Sequence, residues 1–279
     1  MNSESSNKTI DKAGEAYWTD FWANTSLPKA VSIQSGNLED YAFRKLHDFY
    51  SKLFFNLSPT TKSLIEIGCG NSVYLSYFAK QFGFKVSGLD YSEYGCAQTK
   101  KILERDGVKG DIHFGDLFNP PGELLYQYDV VCSFGVVEHF NNTVDVLDKI
   151  GAFLKPGGIL ITTIPNLTGV TGYLQKWMNK PVYDIHKVMG LKDIEHYIKE
   201  AGFEIIQSER IIPVSFGVTL DEIDNKKVKF LKLKKYILKG FQLIGKAFWL
   251  IDDRIVHLPK NEIFCAGMIV AARKPELKN

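Results

Sequence analysis

Residues 64–72 read Leu-Ile-Glu-Ile-Gly-Cys-Gly-Asn-Ser, a short apolar run that breaks into a glycine turn. Leu64, Ile65 and Ile67 suit a strand covered on both faces, which an α/β sheet provides. Gly68 and Gly70 allow a sharp turn and let the backbone approach a ligand closely. Glu66 lies inside the strand, two residues before the first glycine. A buried acid there needs a partner. It also repels phosphate, so a guest with an amino group or a sulfonium suits this turn better than a pyrophosphate.

The surrounding sequence repeats the strand-to-helix switch, the pattern of a parallel sheet with helices on both faces. Strands are expected at 63–67, 85–89, 111–114, 128–133, 159–164 and 203–207, with a last one over 263–272. Helices are expected near 72–82, from Ser92 as N-cap to Gly107, and over 143–154 and 191–201. Upstream, 14–22 is dense in aromatics (Tyr17, Trp18, Phe21, Trp22), and 38–56 carries apolar residues at helical spacing up to the Ser58-Pro59 break. The expected organisation is a disordered tail over 1–12 and an N-terminal helical cap over 13–57. An α/β core over 58–212 and a helical insertion over 213–262 follow, then the last core strand over 263–275.

In an open sheet of this kind, ligands lie beyond the carboxyl ends of the strands. Asp90 ends the second strand about twenty residues after the glycine turn, where an acid can accept hydrogen bonds from ribose hydroxyls. Asp116 follows the third strand and Ser133-Phe134-Gly135 the fourth. Taken singly, Asp90 suits a helix cap, Asp116 a turn and Ser133 a strand end. In order at successive strand tips, they read as one site.

With Glu66, Gly68 and Gly70 in place and Ser72 where a third glycine is usual, the chain resembles a class I S-adenosylmethionine-dependent methyltransferase. The resemblance covers 60–210 well and the last strand moderately. It implies a doubly wound, Rossmann-like sheet of seven strands whose last strand is antiparallel. It implies S-adenosyl-L-methionine as cofactor, held by Glu66, Gly68, Cys69, Gly70, Asn71, Asp90, Tyr91, Asp116, Leu117, Ser133 and Phe134. Asp90 would take the ribose, Asp116 the adenine amino group, and Ser133-Phe134 the methionine part. A nicotinamide-dependent oxidoreductase shares the turn and Asp90, but it wants a third glycine near Val73 and no Glu66. A catalytically idle cofactor-binding subunit is the other alternative.

Phe134-Gly135-Val136-Val137-Glu138-His139-Phe140 resembles a stretch of small-molecule methyltransferases, including those of quinone biosynthesis. His139 and His186 are the candidate bases for an acceptor hydroxyl; either can equally well shape the pocket through a backbone hydrogen bond. Glu138 beside His139 is compatible with a metal, but no spacing requires one, so none is expected. The acceptor is expected to be small or lipid-linked, a sugar or polysaccharide precursor or a quinone-like phenol methylated on oxygen. No Asn-Pro-Pro-Tyr motif follows the fourth strand, which argues against amino groups of nucleic-acid bases or protein side chains.

Net charge is +2, which by itself favours no nucleic-acid partner. The four cysteines are scattered without a C-x-x-C pair and read as reduced residues of a cytoplasmic protein. The polar N-terminus reads as no secretory signal. The connection over 213–262 is far longer than a usual loop. Within it Phe230, Ile237, Phe241, Ile244, Phe248, Ile251 and Ile255 recur at helical spacing among Lys226, Lys227, Lys229, Lys232, Lys234, Lys235, Lys239 and Lys246. Residues 226–251 are therefore expected to bind an anionic membrane surface, to pack on the domain with the lysines in solvent, or to form a homodimer.

Overall fold

A computed structural model describes residues 9–55, 62–219 and 230–276. The tail before Thr9, the Ser58-Pro59 break and the first three lysines of the insertion lie outside the described residues.

The chain winds into one seven-stranded sheet in the order β3-β2-β1-β4-β5-β7-β6. These are β1 (Ser63–Ile67), β2 (Lys85–Asp90), β3 (Gly110–Phe114), β4 (Tyr128–Phe134), β5 (Leu154–Pro165), β6 (Glu204–Ile211) and β7 (Gly267–Arg273). The first five pair in parallel, and β7 lies antiparallel between β5 and β6. The expected doubly wound, seven-stranded arrangement with an antiparallel last strand is thus present. The sheet reverses direction of growth between β1 and β4, so the tips of β1, β2 and β4 converge at the switch point.

Alternate residues of each strand serve opposite faces. Ile65, Val131 and Leu160 pack under α5 (Thr143–Gly151) and α8 (Leu191–Glu200) through Leu147, Ile150, Ile194 and Ile198. Leu64, Val130 and Ile161 face α2 (Tyr41–Phe54), α3 (Tyr74–Phe82) and α4 (Glu93–Arg105), with Phe49, Tyr50, Phe78 and Leu103 fully or almost fully buried. So α2 belongs to the covering layer of the sheet, not to a separate cap. Ser92 caps α4 as expected, accepting the Gly95 amide at 3.2 Å.

Several boundaries differ from the sequence reading. The helix expected over 143–154 ends at Gly151, because Leu154 already pairs with Tyr128 on β4. β5 therefore includes Pro156-Gly157-Gly158, with a register shift opposite Tyr128 and Val130. β6 runs on to Ile211, held by β7, and β7 begins at Gly267 instead of Ile263. Two helices follow β5 where none was assigned, α6 (Val170–Met178) and α7 (Lys180–Asp184). The long insertion folds as α9 (Leu231–Arg254).

At the other end, α1 (Glu15–Ala23) and the residues before it lie across the strand tips. The expected disordered tail reaches Lys12, yet 9–12 are tied down. Asp11 bridges Phe140, the Lys12 amide donates to the His139 carbonyl at 2.8 Å, and the Asn141 amide donates to the Ile10 carbonyl at 3.1 Å. The four cysteines are buried and unpaired. Among the described residues no helix is long and apolar enough to cross a membrane.

Candidate functional site

At the switch point the tips of β1, β2, β3 and β4 and the α1 segment enclose a cavity of about 700 Å³. Its floor is the turn after β1. Gly68 has φ +74°, and a side chain there would place its Cβ 2.5 Å from Val136 Cγ2. At Gly70 a Cβ would fall 2.5 Å from Trp22 Nε1 and 3.0 Å from Asp90 Oδ2. Both glycines are therefore required by space, and Gly68 by backbone conformation as well.

Asp90 is buried and clamps this floor. Its Oδ2 accepts from the Gly70 amide at 2.8 Å and its Oδ1 from the Ser92 amide at 2.7 Å. Burial outweighs these bonds and raises its pKa to about 6. Glu66 is buried too, and one donor serves it: the Ser72 hydroxyl, 2.7 and 2.9 Å from the two carboxylate oxygens. A hydroxyl carries a single proton, so one oxygen goes without a donor from that group. Burial, opposed by that bond and reinforced by Asp90, raises the Glu66 pKa to about 8. Two acids with raised pKa values in one cavity favour a guest that brings positive charge.

Of the residues expected to hold a ligand, Glu66, Gly68, Gly70, Asn71, Asp90, Tyr91, Asp116, Leu117 and Phe134 line this cavity. Two do not. The Cys69 side chain is turned into the sheet side of the turn, where a Cβ on Gly88 would meet its Sγ at 2.5 Å. Ser133 is fully buried inside β4, its hydroxyl 3.5 Å from that of Thr162. For Ser133 this follows from strand alternation, which turns its side chain to the face opposite Phe134. Asp116 is exposed at the rim and accepts the Phe118 amide at 3.0 Å, a turn bond that leaves its second oxygen free of that contact.

The sequence reading missed Asp11, Tyr74 and Phe140 among the cavity residues. Asp11 fell in the segment assigned to the tail, although the Tyr91 hydroxyl donates to it at 2.5 Å. Tyr74 packs against Phe134 with tilted rings whose centroids are 4.3 Å apart. The phase of the helix after the turn is the signal that could have found Tyr74. The aromatic segment does cover the cavity, through Trp18 and Trp22. Gln98 holds its end by donating to the carbonyls of Trp22 and Thr25 at 2.7 and 2.8 Å.

At the β4 side lie the two histidines. Their rings are 4.5 Å apart, and Trp18 meets His139 edge-on at 4.9 Å. His139 Nδ1 is 3.2 Å from the Ile185 carbonyl and His186 Nδ1 is 2.6 Å from the Val182 carbonyl. A carbonyl only accepts, so each Nδ1 carries the proton and each Nε2 keeps its lone pair. Burial and the neighbouring His186 push the His139 pKa down to about 3, and burial lowers that of His186. Both rings are therefore neutral at ordinary pH.

Glu138 completes the group. It is buried, its Oε2 has no hydrogen-bond partner among the described residues, and burial raises its pKa to about 8. Ligating atoms of Glu138, His139 and His186 all lie within 4.8 Å of one another. Sequence spacing gave no reason to expect a metal, because His186 comes from the far side of β5. The fold brings it in through α7. Neutral imidazoles oriented by backbone carbonyls and an unpartnered carboxylate are a donor set suited to a divalent ion.

The methyltransferase domain family matches residues 38–208, more than half of the chain. A ubiquinone biosynthesis O-methyltransferase of Dinoroseobacter shibae is 23% identical over 223 residues, covering 75% of this chain and 88% of that protein. Its counterpart in Cereibacter sphaeroides is 26% identical over 238 residues, covering 78% and 94%. Among solved structures, geranyl diphosphate C-methyltransferase from Streptomyces coelicolor superposes with a TM-score of 0.56 at 11% identity, covering 92% of this chain and 96% of that one. That last likeness is one of fold.

Proposed function

The chain belongs to the methyltransferase domain family, and from that premise we propose that it transfers a methyl group from S-adenosylmethionine to an oxygen of a small or lipid-linked acceptor. The cofactor is S-adenosylmethionine. The observation that carries the reading is the convergence of Glu66, Asp90 and Asp116, from three strand tips, on one cavity whose glycine floor admits no Cβ at Gly68 or Gly70.

These residues fit the group. Glu66 would offer a buried carboxyl that an ammonium ionises, Asp90 would accept from ribose hydroxyls, and Asp116 would take an exocyclic amine. When bound, the cofactor supplies a methyl on positively charged sulfur, so alignment and exclusion of water can provide much of the rate. The aromatic segment supplies the exclusion: Trp18 and Trp22 roof the cavity, and the Tyr91–Asp11 bond holds the segment leading to them.

The acceptor oxygen must lose a proton. His139 lines the cavity, and the His186 ring lies 4.5 Å from it. A histidine whose conjugate acid ionises near 3 takes a proton weakly on its own. The orphaned Glu138 oxygen therefore favours a second reading of the same cluster, in which Glu138, His139 and His186 would hold a divalent ion. Such an ion would supply Lewis acidity at the acceptor oxygen.

Oxygen as the accepting atom and a phenolic acceptor rest on the relatives named as ubiquinone O-methyltransferases. The test is methyl transfer from labelled cofactor to catechols, hydroquinones and sugar hydroxyls, with product analysis. Label on a phenolic or sugar oxygen supports the proposal. Tight cofactor binding with no transfer to any hydroxyl favours the idle-subunit alternative. Glu138→Gln and removal of metal by chelation separate the two readings of the histidine pair. A metal-bound site loses turnover in both cases and regains it with added divalent ion only in the wild-type protein. A histidine base ignores the chelator.

A further inference from the structure

One face of α9 is accounted for. Leu238, Gly245 and Asp252 recur every seven residues and are buried against the domain. Asp252 is tied to Lys45 at 2.6 Å and to the Tyr41 hydroxyl at 2.7 Å. Arg44 holds Asp253 at 2.7 Å, and Trp249 stacks on Tyr41 and donates to the Val214 carbonyl.

The opposite face is not what a domain-packed helix presents to water. Leu233, Tyr236, Leu243, Ile244 and Phe248 are all exposed, Tyr236 at 73% and Leu243 at 68%. With Ala247 and Leu250 they fall within an arc of roughly 160° at the helical repeat. Lys232, Lys235, Lys239 and Lys246 do not occupy the centre of this outward face. They form one row along its edge, within an arc of about 60°. No acid occurs between residues 231 and 251.

α6 lies beside the first turn of α9. The Lys234 ammonium donates to the Trp177 carbonyl at 2.7 Å and lies 5.8 Å from that ring, which is half exposed beside the exposed Tyr173. An apolar strip with a lysine row on its flank and indole and phenol groups at one end is the pattern of a helix lying in a bilayer interface.

We infer that the outward face of α9 docks the protein on an anionic bilayer, its apolar strip in the headgroup–acyl boundary and its lysine row on lipid phosphates. Charge selects this occupant. Among the described residues of α9, a second copy pairing through the same face would bring lysines with no acids to meet them, because Asp252 and Asp253 are already engaged by Lys45 and Arg44. The inference is independent of the chemistry at the cavity.

The test is flotation of the full-length protein with phosphatidylglycerol–phosphatidylcholine vesicles, against vesicles of phosphatidylcholine alone. The wild-type protein should float with the anionic vesicles only, and high salt should release it. Lys235→Gln, Lys239→Gln and Lys246→Gln together should weaken partitioning roughly a hundredfold, at about fivefold per lysine. Leu243→Glu with Phe248→Glu should abolish it while leaving the melting temperature and adenosylhomocysteine binding in place. If that variant melts early, the lysine variant, altered only at exposed side chains, decides. Wild-type protein that stays in solution with anionic vesicles overturns the inference. So does a stable dimer in sedimentation velocity that Leu243→Glu dissolves, which would assign the strip to a second copy.

Discussion

At the residue scale, each atom of the glycine floor has a consequence that can be measured. Gly68→Ala forces a side chain into the left-handed region and against Val136, and should destabilise the fold by about 1–3 kcal/mol in denaturant melts. Asp90→Asn keeps the shape but gives up the charge, and should weaken adenosylhomocysteine binding at least tenfold by calorimetry. Unchanged affinity would remove Asp90 from the ribose. His139→Ala should lower turnover far more than it alters cofactor affinity, measured by rapid-quench assay and calorimetry side by side. The acids and glycines were readable because their spacing is local: Glu66, Gly68, Gly70 and Asp90 lie on consecutive strand tips. Glu138, His139 and His186 were readable only as separate candidates. What unites them is the path of α6 and α7, helices whose sequence carries no strong start signal, since Gly169 and Asn179 precede them without a side-chain cap bond. The side chains of Cys69 and Ser133 lie off the cavity; for Ser133 the reason is that a strand tip sends alternate side chains to opposite faces, and the motif alone does not fix the phase.

At the element scale, two helices were seen in the sequence for their aromatics and lysines, and both sit where a static domain would not need them. α1 roofs the cavity, held by Gln98 at its end and by the Asp11–Tyr91 bond at its start. Tyr91→Phe removes one tether and leaves the aromatic contact. It should raise the dissociation rate of adenosylhomocysteine several-fold in stopped-flow measurements and speed proteolysis before Glu15. No change in either would make the strap passive packing. The tethering of residues 9–12 was not legible, because a backbone amide that pairs with a side chain 131 positions away leaves no local pattern. The insertion was legible as a helix from its period. Which side of it faced the domain was not, because apolar residues occur on both sides. The buried side was decided by Asp252 and Asp253 meeting Lys45 and Arg44, a contact between distant parts of the chain.

At the scale of the whole molecule, the strand-and-helix alternation gave away the sheet, and the strand tips gave away its working edge. The same edge carries an electrostatic strain that makes stability depend on pH. Glu66 is raised from 4.5 to about 8, and Glu138 likewise. The folded protein keeps those protons where the unfolded chain has lost them, so their contribution is full below 4.5 and disappears as pH rises toward 8. His139, lowered from 6.5 to about 3, acts with the opposite sign, but only below 6.5. Between 6.5 and 8 the carboxylic acids dominate this group, and the melting temperature of the free protein should fall across that window. A guest that sets an ammonium beside Glu66, as adenosylhomocysteine would with its amino group, reverses the effect there, because it favours the ionised acid. The most direct measurement is therefore titration calorimetry with adenosylhomocysteine at pH 6.5 and 8, in buffers of differing ionisation enthalpy. Binding that releases protons near pH 7 and tightens toward pH 8 is the predicted result. Absence of binding, with retention of a nicotinamide dinucleotide in its place, would contradict the account.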